Sequence, residues 1–258
     1  MTSDLSYAHH VLKHLGFGVE PIAPGDGERA DWVATIRSEV ALVEEKTKFD
    51  DPDEVSRRKT AFGAGHPFST QVPLKPNNRL SGITYKAASQ LGTSAAEIAH
   101  DFRIIWLTAT GFNHEAKFHQ YIATLYGSSN VIENGRVPLK RCYFFRNSDF
   151  YRHRQQIDGA VVAEVAERDL NAKLCLNPLS PRYARFRDSA IREAFATAVM
   201  DPNVAEAAGD AYIVDCDIDR ARENDILEYL KQKYSTGDLM SMDMGYASVA
   251  MAVKNGDG

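Results

Sequence analysis

An aspartate, a glutamate and a lysine lie close together in one short stretch of this chain, Asp31-Trp-Val-Ala-Thr-Ile-Arg-Ser-Glu-Val-Ala-Leu-Val-Glu44-Glu45-Lys46. Two carboxylates a few ångströms apart repel unless a cation lies between them. Hard oxygen ligands that leave positions for water and phosphate suit Mg²⁺, with Mn²⁺ as its substitute. A lysine beside such an ion can orient or deprotonate an attacking water, or neutralise charge developing on phosphorus. Phosphodiester hydrolysis is the reaction such a set would serve.

Those side chains need an element to bring them together. Asp31 to Ile36 and Val40 to Lys46 are rich in β-branched and aromatic residues and flank a polar Arg37-Ser38-Glu39 break, which predicts two strands of a hairpin. A connection of two or four residues puts Asp31 opposite Glu44, with Cβ atoms about 5 Å apart. A three-residue loop puts Glu45 opposite Asp31 instead. Glu44 is preferred, because the two-residue spacing keeps Lys46 on its face while Glu45 points the other way.

Asp31 followed by Glu44-x-Lys46 at the end of an apolar strand, with a helix before it and a helix and strand after it, resembles the PD-(D/E)xK phosphodiesterase superfamily. The match covers roughly the first half of the chain. Ala30 stands where the pattern has proline, and Glu45 where it is usually apolar. The resemblance implies a restriction-endonuclease-like core, a central mixed sheet flanked by helices, and a metal-dependent nuclease acting on DNA ahead of RNA. It also implies Asp31 and Glu44 as metal ligands, the Glu45 carbonyl as a further one, and Lys46 as the catalytic lysine. In related nucleases the helix after the motif strand lends a polar residue, a role that Lys86 or Gln90 could fill. A catalytically silent nuclease-like binding or assembly module is the alternative.

The rest of the chain continues as α/β. The spacing predicts a helix from about Asp4 to Leu15, an irregular region from Phe49 through Leu80, and a helix from Ser81 to about Leu91. A buried strand from Asp101 to Ala109 follows, then a helix from Asn113 to about Tyr126 and a strand from Leu139 to Phe145. Beyond these lie expected strands at Gly159 to Val165, Ala172 to Leu176 and Ala211 to Cys216, with helices at Pro181 to Val199 and Arg220 to Tyr234. The expected organisation is a nuclease-like core over 1–148 and a C-terminal α/β extension over 149–258, within one domain or beside it. Arg57, Arg58 and Lys59 in the irregular region, and Arg182 and Arg185 in the later helix, are candidate phosphate contacts.

With 258 residues, 44% of them hydrophobic, the chain can build a sizeable core; its net charge of −5 is not the global signature of a nucleic-acid binder, so contacts to DNA would need a local basic patch. Cys142, Cys175 and Cys216 are odd in number and set in apolar stretches, which predicts reduced core thiols and a reducing, cytoplasmic setting. No apolar run has the length of a membrane span. A homodimer is compatible with these features. His114 and His119 are five apart, one too many for two zinc ligands on a helix face. The main rival metal site is Asp215, Asp217 and Asp219, which alternation along a strand would align on one face. A strand end leading into a helix capped near Asp219 is the plainer expectation there.

Overall fold

The computed structural model of the chain describes residues 6–25, 27–135, 139–166, 169–242 and 245–251. Asp4 and Leu5 of the expected first helix lie outside them. The helix itself, α1 (Tyr7–His14), starts where Ser6 accepts a hydrogen bond from the His9 N–H and ends at Leu15, before Gly16 at φ 88°. Then come β1 (Gly18–Pro21), β2 (Trp32–Ile36) and β3 (Glu39–Lys48).

The region from Phe49 to Leu80, expected to be irregular, contains α2 (Pro52–Gly63) and β4 (Phe68–Pro73). Pro52 does not break this helix. It opens it, at the position where a missing N–H costs nothing, and Asp51 caps it by accepting from the Asp53 N–H. α3 (Asn78–Ala95) likewise begins earlier than Ser81, because Asn77 supplies the cap. β5 (Phe102–Ala109), α4 (His114–Tyr126), β6 (Ser129–Glu133), β7 (Lys140–Tyr143), α5 (Asp149–Arg152), β8 (Gly159–Ala166) and β9 (Asp169–Leu176) follow.

The single helix expected over Pro181 to Val199 is divided into α6 (Tyr183–Arg187) and α7 (Ala190–Ala194), because Ser189 starts a new helix by capping the Arg192 N–H. The chain closes with β10 (Val199–Met200), α8 (Pro202–Ala207), β11 (Ala211–Ile213), α9 (Glu223–Tyr234), β12 (Leu239–Ser241) and β13 (Tyr246–Met251).

The architecture is α/β around a seven-stranded mixed sheet in the order β1-β2-β3-β5-β8-β9-β10. β3, β5 and β8 run parallel at its centre, and antiparallel strands flank them on both sides. β8, β9 and β10, all beyond residue 148, are part of this sheet. A four-stranded sheet, β11-β7-β6-β12, and the β13-β4 pair lie outside it.

Alternation divides the core between the two faces of the central sheet. Leu42, Ile105, Leu107 and Val162 pack with Leu91 of α3 and Phe118 and Tyr121 of α4. Val43, Ile104, Trp106 and Val161 pack with Leu12 of α1, Phe186 of α6 and Ile191 of α7. Every residue of β5 is buried, as a central parallel strand requires. Among the described residues, no helix is long and apolar enough to cross a membrane.

Gly159, where β8 enters the sheet, tests this packing. A Cβ there would lie 2.5 Å from Phe186 Cε1 and 3.0 Å from the Cys175 carbonyl oxygen. Gly159→Ala is therefore expected to cost about 1–3 kcal/mol through overpacking, measured as a lower denaturant midpoint with an unchanged slope.

Candidate active site on the first hairpin

The β2–β3 register pairs Ile36 with Glu39, Ala34 with Ala41 and Trp32 with Val43. This is the two-residue connection, with Arg37 in the left-handed region at φ 52° although the turn has no glycine or asparagine. One step further out, the Asp31 N–H donates to the Val43 carbonyl at 3.1 Å and the Asp31 carbonyl accepts from the Ile22 N–H at 2.9 Å. Asp31 thus continues the strand and comes opposite Glu44.

Glu44 has no exposed surface, on the same sheet face as Leu42. The Lys46 ammonium contacts its Oε1, yet neither Glu44 oxygen accepts a hydrogen bond of ordinary geometry from any described residue. Burial pushes the Glu44 carboxyl up to about 8; the Lys46 ammonium opposes that rise and the charge of Asp31 adds to it. Asp31 Oδ2 accepts from the Glu45 N–H at 2.7 Å, which ties one acid to the backbone beside the other.

Gln90 holds the lysine. Its Oε1 accepts from Lys46 Nζ at 2.8 Å, and its Nε2 donates to the Arg29 carbonyl at 3.1 Å. Nothing in the sequence pattern marked that carbonyl, because only the fold brings residue 29 to α3. Lys86, one turn earlier, is exposed. Four residues advance a helix by about 400°, so Lys86 stands about 40° further from the buried stripe than Gln90.

Glu45 points through the sheet to the opposite side and is satisfied there. It accepts from the Ala8 N–H at 3.0 Å, from Trp32 Nε1 at 3.2 Å and from the Ser6 hydroxyl. A carboxylate at the start of α1 meets the free N–H groups and the positive end of the helix dipole. Its side chain is thus an anchor for α1, leaving its carbonyl as the part of Glu45 that could reach an ion. Glu45→Gln is expected to lower stability by about 1–2 kcal/mol, read from denaturant unfolding, while leaving Asp31 and Glu44 in place.

The other candidates lie elsewhere. Arg57 and Lys59 are exposed on α2, whereas Arg58 sits 3.3 Å from Asp50. Arg182 lies 3.5 Å from the buried Asp158, and Arg185 is paired with Asp101. The aspartates of 215–219 do not form a cluster, because β11 ends at Ile213 and alternation does not reach them. Asp215 accepts from Lys233 at 3.0 Å, Asp217 from the Tyr151 hydroxyl at 3.2 Å, and Asp219 from the Ala221 N–H at 2.9 Å. They point to three different partners.

Among the described residues, no group of three or more His, Cys, Asp or Glu side chains is arranged to hold a metal. Two carboxylates and a carbonyl are what the hairpin offers. They fit a hard divalent ion, since both Glu44 oxygens are buried and, apart from the Lys46 contact to Oε1, are among the buried acceptors left without donors. Comparison of the chain with protein-family models, with curated proteins and with solved structures finds no match.

Proposed function

We propose that the protein is a divalent-metal-dependent nuclease of the PD-(D/E)xK type, hydrolysing phosphodiester bonds of DNA ahead of RNA. The observation that carries this reading is the Glu44 carboxylate, fully buried with neither oxygen hydrogen-bonded, beside Asp31 and against Lys46. Lys46 is the one cation against this acid, and burial holds the carboxyl largely protonated near neutral pH, so a divalent ion bound there would meet a ready acceptor that it must first deprotonate.

Asp31 and Glu44, with the Glu45 carbonyl, would hold Mg²⁺ or Mn²⁺. When bound, that ion polarises the phosphate and lowers the pKa of a coordinated water. Glu44 is ionised in this role and gives up its proton on binding. Lys46, held by Gln90 and against Glu44, would orient the attacking water or neutralise charge on phosphorus. Gln90 is a positioning residue, because it acts through Lys46.

Charge supports the second reading, a silent nuclease-like binding module. The chain is acidic overall, and Arg182 and Arg185 are engaged by carboxylates. One experiment separates the two. Supercoiled, linear and single-stranded DNA and RNA are incubated with the protein, with and without Mg²⁺ or Mn²⁺, beside Asp31→Asn and Glu44→Gln. Metal-dependent cleavage lost in both variants supports the nuclease; binding without cleavage under every condition supports the silent module.

A further inference from the structure

The solvent face of α3 carries an aromatic ring and a cation that the fold itself does not use. Tyr85 is 66% exposed and Lys86 beside it is exposed, whereas Thr84, Ala87 and Ala88 face the core. Each residue turns a helix by about 100°, so Lys86 stands about 40° round from Gln90, and Tyr85 about 140° round in the same direction and about 7.5 Å back along the axis. The other exposed residues of that face, Gly82 and Ser89, are small. An open track therefore runs from the Tyr85 ring past Lys86 to the residue that holds Lys46.

The α5 segment widens this surface. The His153 ring packs against Tyr85, with centroids 5.9 Å apart and planes at 58°. Burial holds the His153 imidazole below its ordinary pKa, so near neutral pH it offers a ring and no charge. Two residues earlier Tyr151 is 38% exposed, and the Arg154 guanidinium lies 4.6 Å from the centroid of its ring. Arg154 donates from Nη1 to the Tyr151 carbonyl at 2.8 Å, an acceptor that fixes the group without cancelling its charge. Among the described residues, neither Arg154 nor Lys86 has a carboxylate within ion-pair reach. The Tyr151 hydroxyl donates to Asp217 at 3.2 Å, which puts an acid at the edge of that ring and not at its face.

We propose that this surface binds single-stranded DNA, with bases stacked on Tyr85 and Tyr151 and phosphates against Lys86 and Arg154. A duplex hides the faces of its bases, whereas a single strand exposes them, and every base has a π face, so rings set among cations bind it without reading sequence. A protein partner would be met by an apolar centre. Here the small residues Gly82 and Ser89 supply none, and the large exposed side chains are aromatic or cationic. The inference rests on the nuclease reading for the destination of the strand, at Lys46; the binding itself needs no metal.

The test is fluorescence anisotropy of a labelled oligothymidylate with the full chain, in chelator and over a salt series, beside Tyr85→Ala, Tyr85→Trp, Lys86→Gln and Lys13→Gln. Saturable binding is expected, tighter than to the duplex the strand forms with its complement. Tyr85→Ala should weaken it about fivefold or more with the salt dependence unchanged, and Tyr85→Trp should restore it. Lys86→Gln should lower the slope of log affinity against log salt by about 0.7, the loss of one phosphate contact to a single strand. Lys13→Gln, on α1 across the central sheet, should change neither. Thermal melting shows whether each variant is folded. Adding Mg²⁺ to the same strand, below saturation, separates this inference from the nuclease reading. Binding without cleavage keeps the surface and removes the nuclease, whereas cleavage that Tyr85→Ala leaves unchanged keeps the nuclease and removes the surface. The proposal is also overturned if the unaltered chain shows no saturable binding, if the duplex binds as tightly, or if folded Tyr85→Ala or Lys86→Gln binds as well as the unaltered chain.

Discussion

Lys46→Ala is expected to lower phosphodiester hydrolysis by about 10²- to 10⁴-fold while leaving the far-ultraviolet circular dichroism and thermal midpoint close to those of the unaltered protein. The side chain is only partly buried at the end of β3, so its loss opens no core cavity. Its interactions are with Glu44 and Gln90, and its work in the proposed reaction is done on water or phosphorus. The loss should therefore fall on kcat more than on KM. Lys46 also opposes the burial that raises the Glu44 carboxyl, so residual activity should shift to higher pH. Gln90→Ala should produce a smaller loss of the same kind, because it frees the lysine without removing it. Steady-state rates on one DNA substrate across a pH series measure all three effects. Equal rates for Lys46→Ala and the unaltered protein would remove Lys46 from the mechanism.

The hairpin was legible because two regularities combine there. Side chains alternate along a strand, and the short polar break left few registers, so Asp31 opposite Glu44 followed from sequence. The destination of Glu45 did not. Its partners, Ser6, Ala8 and Trp32, meet only after α1 folds across the sheet.

Prolines misled in the region after β3. Pro52 followed by a charged run reads as breakage, but a proline at the first helical position after a capping aspartate starts a helix. The helix expected to carry Arg182 and Arg185 is shorter than its sequence suggested for a local reason, the Ser189 cap that divides it. The three aspartates of 215–219 failed as a metal site because β11 is only three residues long. In each case the sequence carried the residue types. What it lacked was the point at which an element stops.

Glu44 should also link stability, divalent-ion affinity and pH. Its folded pKa of about 8 lies above the ordinary 4.5, so the folded state holds this proton more tightly than the unfolded chain does. For a carboxyl shifted in this direction, the stabilising effect of the proton is complete below about pH 4.5 and is lost as pH rises to 8. In the presence of a chelator, the unfolding free energy of the unaltered protein should therefore decline over that window by a few kcal/mol more than that of Glu44→Gln. Divalent affinity should move the other way. An ion needs the carboxylate, so affinity should rise up to about tenfold per pH unit below pH 8, level off above it, and be accompanied by proton release. Glu44→Gln keeps the shape of the side chain but cannot ionise, so it should abolish both the proton release and the pH dependence, and with them most of the affinity. Calorimetric titration with Mn²⁺ near pH 7, in two buffers of different ionisation enthalpy, counts the protons directly. A pH-independent affinity with no proton released would mean that Glu44 does not ligate the ion, and the hairpin would then lose the acid on which its chemistry rests.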